Sequence, residues 1–515
     1  MSVEKFKEDI QAAYSFMGKN LILGGPLYDK KNVTSLTVNI PLSTVNRHGL
    51  IAGATGTGKT KSLQVIAESL SKKGVSVLLM DIKGDLSGIA KAGSANPKVE
   101  ERMQKIGLPV NYKSNPTEFL TLSKQSGARL RATVSEFGPV LFSKILGLND
   151  TQSSVVSLVF KYCDDAGYPL LDLADFKAIL NYATNEGKED ISKEYGAIST
   201  ASIGTILRKV IELEQQGAEV FFGEKSFEVN DLVRLDAEGN GMVSVIRLVD
   251  IQDKPKLFST FMLSLLAEIY SSFPERGDVE KPELVLFIDE AHLIFNEASK
   301  ALLDQIETII KLIRSKGIGI FFITQNPADI PDSVLGQLGM KIQHALRAFT
   351  AKDQKAIRMA AENFPITEVY DTEKTLTSMG IGEALVTVLN EKGIPSPLVL
   401  TMMCAPMSRM DVISDSELNE MVGNSKIAKK YNEVINRESA FEILKNKIAA
   451  VQEITQEEKS TSPTTKNKEE SSMADSVGNV INSPIGKVVL REVTRGLLGV
   501  LGLGGRSSTK KRSLW

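Results

Sequence analysis

Cysteine is nearly absent. The two in 515 residues, Cys163 and Cys404, lie far apart and match no metal-ligand spacing, so neither a zinc site nor a disulfide framework is readable. That usage suits a reducing cytoplasm, where the protein is expected to work. An excess of one charge is also missing. A formal net charge of -2 gives no global basic field to hold a polyanion. Any nucleic-acid contact must come from a local patch, or from a ring that concentrates loops in a pore. No long uninterrupted apolar run occurs, so no membrane-spanning helix is expected. The N-terminus mixes Glu4, Lys5, Lys7, Glu8 and Asp9 with short apolar groups, which is not the pattern of a signal peptide.

What remains is an ordinary globular composition, 42% hydrophobic and 24% charged, on a chain long enough for two or three structural units. Residues 1–45 read as a small amphipathic helix and short strands, Leu21 to Leu23 and Leu36 to Ile40, broken up by Pro26 and Pro41. Gly49 to Ala52 reads as a strand and Thr60 to Lys73 as a helix with Leu63, Ile66, Ala67 and Leu70 on one face, stopped by Gly74. Val75 to Ile82 is a continuous apolar run, the mark of a parallel strand covered on both faces. The β-α rhythm then lapses, and residues 91–235 read as a helical insertion, with patterns at Ser153 to Tyr162 and Ala201 to Gln216. Strands resume at Met242 to Leu248, Leu284 to Ile288, Ile318 to Thr324 and Lys341 to Ala348. Leu302, Leu303, Ile306, Ile309, Ile310 and Ile313 form a helical stripe closed by Gly317, and Glu383 to Leu389 with Pro397 to Met402 form a hairpin. The expected fold is α/β, a mostly parallel, doubly wound sheet built from residues 46–90 and 236–450. Residues 451–484, rich in Glu, Lys, Ser and Thr, read as a disordered linker, and 485–515 as an apolar, Gly-rich helical tail with a basic tip.

Gly53-Ala54-Thr55-Gly56-Thr57-Gly58-Lys59-Thr60 matches GxxxxGK[ST] between a strand and a helix. Glycines let backbone N–H groups close around phosphate, and the helix N-terminus adds partial positive charge. With Lys61, these residues are the expected binding site for ATP. Lys59 is assigned to the β- and γ-phosphates and the Thr60 hydroxyl to Mg²⁺. Asp289 and Glu290 end an apolar strand, where ligands gather in open α/β sheets. Asp289 is expected to hold Mg²⁺ through a water, and Glu290 to act as base for the attacking water, which favours hydrolysis over mere binding.

Gln325 ends the next strand, where it can orient water or sense the γ-phosphate, or else cap the turn with Pro327 and Asp329. Asp81 closes the strand ending at Met80 and is expected to join the metal or water network, whereas Asp85 reads equally as a solvated turn. Phosphoryl-transfer motors commonly need a cationic group from a neighbouring subunit. Arg47, before the first strand, and Arg314, at the end of the stripe helix, are the residues singled out for it, with Arg347 a third; a surface salt bridge is the competing role.

In this order, "NRHGLIAGATGTGKT", "DIKGDL", "LFIDEAH", "GIGIFFITQNPADIP", "FTAKDQKAIRMAAENFP" and "GIGEALVTVLNEKGIPSP" resemble the bacterial HerA-like ATPases of the HerA/FtsK superfamily, across roughly residues 17 to 450. The resemblance implies a RecA-like core with a helical insertion, a homo-oligomeric, hexameric ring, and ATP-driven movement along double-stranded DNA. It places Lys59, Thr60, Asp81, Asp289, Glu290 and Gln325 in the active site and Arg47 and Arg314 at or near the subunit boundary. Archaeal members carry an N-terminal barrel, for which residues 1–45 are too few; nuclease docking through it does not carry over, and a nuclease or other protein stays an open partner. The alternative is a P-loop ATPase that remodels proteins or switches at a membrane without DNA. Its support is the tail, Val488 to Gly505 with Arg506, Lys510, Lys511 and Arg512, which suits docking on a partner or an anionic membrane surface.

Overall fold

The computed structural model describes residues 2–460 apart from 278, 297–299, 434 and 436. The chain divides into a unit of residues 1–440 and one of 441–515. Of the second, the described part is a helix that reaches Ser460, so helix continues into the start of the stretch expected as a linker. The expectations for the rest of the linker and for the tail lie outside the described residues.

Thirteen strands form one sheet among the described residues. They are β1 (Asn20–Tyr28), β2 (Lys31–Asn32), β3 (Val38–Pro41), β4 (Gly49–Ala52), β5 (Ser76–Asp81), β6 (Thr117–Thr121), β7 (Ala128–Arg129), β8 (Val243–Arg247), β9 (Leu284–Ile288), β10 (Ile318–Thr324), β11 (Met340–His344), β12 (Glu383–Thr387) and β13 (Val399–Met403). The order is β2-β1-β13-β12-β11-β4-β10-β9-β5-β8-β6-β7, with β3 on β1. From β11 to β7 every pairing is parallel, and the β1–β3, β12, β13 end is antiparallel.

The apolar runs explain the parallel block. Along β5 and β9, Val77, Leu79, Val285 and Phe287 enter one core cluster together with Leu63, Ile66, Ala67 and Leu70 of the helix Lys59–Lys72. Leu78, Met80, Leu286 and Ile288 are just as buried on the opposite face. On that face Phe295 of the helix His292–Asn296 packs against Phe322 of β10. Both faces are therefore covered, as an all-parallel block requires. In the helix Lys300–Ile313, Ile306, Ile309, Ile310 and Ile313 are buried, and Gly317, at φ 75°, ends the turn that follows.

Two expectations are corrected. Residues 91–235 are not only helical: β6 and β7 extend the parallel sheet at its far edge. Their sequences carry Thr, Glu and Arg, and the buried Glu118 is neutralised by Arg234 and hydrogen-bonded by Ser425, so no apolar run announces them. Within the insertion the helix Pro97–Ile106 precedes β6, and the helices from Val134–Ile145 to Thr200–Gln215 follow β7. Residues 1–45 join the main sheet, because β1 pairs with both β13 and β3. Pro26 sits inside β1 opposite Thr401, its carbonyl accepting the Val33 amide at 3.0 Å, so it does not break the strand.

β4 must reach the middle of this sheet with little bulk. Gly49 stands beside Phe321 of β10, where an added Cβ would lie 2.4 Å from the ring. His48, fully buried just before β4, accepts the Ile320 amide at Nδ1 (3.1 Å), so its Nε2–H donates to the Ile310 carbonyl (3.0 Å). Burial pushes its imidazole down to about 4.

Gly49→Ala is expected to cost about 1–3 kcal/mol by overpacking against Phe321, read as a lower urea midpoint. A neutral buried histidine supports the fold above its unfolded value and loses that support as pH falls toward its folded value. Asp81 and Asp289, discussed below, shift the opposite way, so a difference measurement isolates His48. The stability advantage of wild type over His48→Gln should shrink by about 2 kcal/mol between about pH 6.5 and 5; an advantage that stays constant or grows contradicts the assignment.

Candidate active site

The loop from Gly53 to Gly58 starts where β4 ends, pinned to both neighbouring strands: the Gly53 amide donates to the Thr324 carbonyl (3.3 Å) and the Ala54 amide to that of Ala345 (2.8 Å). Gly56 and Gly58 have φ of 77° and 116°, a region that favours glycine, and Gly58 is the N-cap of the helix Lys59–Lys72. An added Cβ on Gly53 would lie 2.5 Å from Cβ of His344. Lys59 is buried, its ammonium donating to the Gly53 (2.7 Å) and Ala54 (3.2 Å) carbonyls, and burial lowers its affinity for the proton, with Lys83 adding repulsion. Thr57 Oγ1 donates to the Ala54 carbonyl at 2.7 Å. The side chain of Lys61 turns away and donates to the Met410 carbonyl at 2.5 Å.

Because β5 and β9 are adjacent and parallel, with β10 and β4 next in line, their carboxyl ends face this loop together. Asp289 and Glu290 follow β9 and are 3% and 6% exposed. Asp289 Oδ1 accepts the Glu290 amide at 2.9 Å, and Glu290 itself adopts φ 46°, unusual for a residue with a Cβ. Burial pushes the Asp289 carboxyl up to about 6. Gln325, after β10, bridges the two halves of the site: Thr55 Oγ1 donates to its Oε1 (3.3 Å), and its Nε2 reaches Glu290 Oε1 (3.5 Å). The turn after β10 is capped by others. Asn326 Oδ1 accepts the Ala328 amide, and Asp329 Oδ2 accepts the Thr324 hydroxyl and the Asn326 amide.

Asp81 takes a supporting place. Its Oδ1 accepts the amides of Gly84 (2.7 Å) and Asp85 (3.0 Å) and its Oδ2 that of Leu86 (3.2 Å), so it builds the turn after β5. Burial, reinforced by Asp85, pushes it up to about 7. The turn carries two residues whose part the sequence did not disclose. Thr60 Oγ1 lies 3.4 Å from Asp85 Oδ2, while Asp85 Oδ1 is buried and accepts no hydrogen bond. Lys83 forms an ion pair with Glu290 Oε1. A third unforeseen residue is His344, buried at the end of β11. Its Nδ1–H faces the Glu383 carbonyl (2.9 Å), which leaves Nε2 to accept the Ser62 hydroxyl (2.9 Å). An isolated histidine after a strand gives no sequence signal for this.

Arg47 and Arg314 are not beside the phosphate loop. They precede β4 and β10, at the opposite, amino end of the strands, where with Lys311 and Lys341 they line a cavity of about 460 Å³. Among its described lining residues there is no Asp or Glu. Arg347 is on the loop side, lining a cleft with Ala54, Thr55 and Gln325.

Comparison with known proteins follows the same lines. The chain is 22% identical over 368 residues to the DNA double-strand break repair helicase HerA of Sulfurisphaera tokodaii, covering 68% of this chain and 64% of that protein. It is 22% identical over 428 residues to the protein of the same name from Saccharolobus solfataricus, covering 82% and 77%. It thus spans about two thirds to three quarters of these relatives' length. The fold resembles that of the bacterial conjugative coupling protein TrwBdeltaN70, with a TM-score of 0.51 at 13% identity, over 79% of this chain and 94% of that one. This is the RecA-like P-loop fold. The family described as helicase HerA-like C-terminal matches residues 28–508, nearly the whole chain, which therefore belongs to that family.

Proposed function

We propose that this protein hydrolyses ATP and uses the energy to move along double-stranded DNA as a ring of identical subunits, six in number, in the cytoplasm. The observation that carries the hydrolytic part is the convergence of Lys59, Thr60, Asp85, Asp289, Glu290 and Gln325 at one end of β4, β5, β9 and β10. The names of the HerA relatives support the DNA part. A nuclease or another protein is the partner class this reading admits.

The loop amides from Gly53 to Thr60 and the Lys59 ammonium receive the β- and γ-phosphates. Mg²⁺ suits the neighbouring oxygens: the Thr60 hydroxyl, the orphaned buried Oδ1 of Asp85, and Asp289 through a water. Among the described residues no three acidic, His or Cys side chains form a cage of their own, which fits a cation shared with substrate phosphates. When bound, Mg²⁺ would neutralise charge on the phosphates. Glu290 accepts a proton from the water that attacks the γ-phosphorus, as the bond from that phosphorus to the bridging oxygen breaks and ADP leaves. Gln325 orients that water and reports on the γ-phosphate to the Thr55 end of the loop.

Arg47 and Arg314 enter through the ring. They occupy the edge opposite the nucleotide site, and a head-to-tail contact brings such an edge to the neighbour's site. There they would stabilise charge on the transferring phosphoryl group.

Lys59→Ala should abolish turnover, and Glu290→Gln should keep nucleotide binding while slowing cleavage about 10²–10⁴-fold. A Glu290→Gln variant at the wild-type rate removes Glu290 as base. Steady-state ATP hydrolysis with and without duplex DNA, at low and moderate salt, tests the track. Stimulation that weakens with salt is expected. No stimulation at either salt refutes translocation on DNA and leaves the protein-remodelling ATPase in its place.

A further inference from the structure

Two groups hold one oxygen of Glu290. The Lys83 ammonium pairs with Oε1, and the Gln325 amide reaches the same oxygen at 3.5 Å. The other oxygen, Oε2, is buried and accepts no hydrogen bond, although His292 Nδ1 stands 3.3 Å away. The ion pair is unlike a rim salt bridge, because the Glu290 side chain is only 7% exposed while that of Lys83 is 39% exposed. With Oε1 held by Lys83 and Gln325, Oε2 is the carboxylate oxygen of Glu290 that has no hydrogen bond and is left to take a proton.

Lys83 does not reach this place by chance of rotamer alone. Its turn is fixed from within by Asp81, whose carboxylate collects the amides of Gly84, Asp85 and Leu86. Gly84, at φ 80°, supplies the reversal that the turn needs. Since β5 and β9 are paired in parallel, Met80 beside Ile288, the turn after one strand lies against the acid pair after the other.

We propose that Lys83 is a positioning residue for hydrolysis: it anchors Oε1 of Glu290 so that Oε2 is the oxygen presented to the attacking water. This rests on the reading of Glu290 as the base. It also gives Asp81 its role, that of placing Lys83, in addition to any effect on the metal.

The test compares ATP turnover and the affinity of a fluorescent ATP analogue in wild type, Lys83→Met, Lys83→Arg, Glu290→Gln and the Lys83→Met, Glu290→Gln double variant. Lys83→Met should lower kcat about a hundredfold by misplacing the base, leave analogue affinity within about twofold, and be partly rescued in Lys83→Arg. The double variant should turn over no more slowly than Glu290→Gln, because the group that Lys83 positions has already lost its function. The proposal is overturned if Lys83→Met works at or above the wild-type rate. It is equally overturned if the double variant falls below Glu290→Gln by the full Lys83→Met factor, or if analogue affinity falls as far as turnover, since Lys83 would then act on the nucleotide. Where Lys83→Met does not fold, Lys83→Gln carries the same comparison. A wild-type rate in Glu290→Gln instead removes the base itself, so the two failures are told apart.

Discussion

The structure depends on keeping four carboxylates, the buried Asp81, Asp289 and Glu290 and the half-buried Asp85, together at the carboxyl end of the parallel strands. Burying a charge is costly unless it is paired or hydrogen-bonded. Each acid meets that cost differently. Asp81 takes three backbone amides, Asp289 takes the Glu290 amide, Asp85 approaches the Thr60 hydroxyl, and Glu290 takes Lys83. The strand ends that bring the acids together are thus also the means of tolerating them. Burial pushes the Asp81 and Asp289 carboxyls upward despite the amide hydrogen bonds they accept.

Much of this was legible in sequence because it is local. A glycine pattern between strand and helix and a pair of acids after an apolar run each reveal chemistry within a few neighbouring residues. The covered parallel strands β5, β9 and β10 were legible for the same reason, since burial on both faces leaves a continuous apolar run. Gln325 was left between two roles by sequence; in the structure the turn is capped by Asn326 and Asp329.

What escaped is whatever depends on strand order. Lys83 and Glu290 are far apart in the chain and meet because β5 lies beside β9. His344 meets Ser62 because β11 lies beside β4. The edge strands β6 and β7 escaped because their buried polar residues are satisfied by partners distant in the chain, Arg234 and Ser425 for Glu118. The N-terminal strands were legible, but their pairing with the main sheet escaped because the partner, β13, comes nearly four hundred residues later.

The buried acids and the phosphate loop lie at one end of the parallel block, and the cavity lined by Arg47, Lys311, Arg314 and Lys341 at the other. Such polarity suits subunits that join head to tail, each completing the next one's site. Mixing Arg47→Ala subunits with Glu290→Gln subunits and measuring ATP turnover addresses this most directly. Each variant alone should be nearly inactive, and the mixture should recover activity at interfaces where an intact Glu290 meets an intact Arg47. Turnover in the mixture no greater than the sum of the separate variants would contradict a shared site.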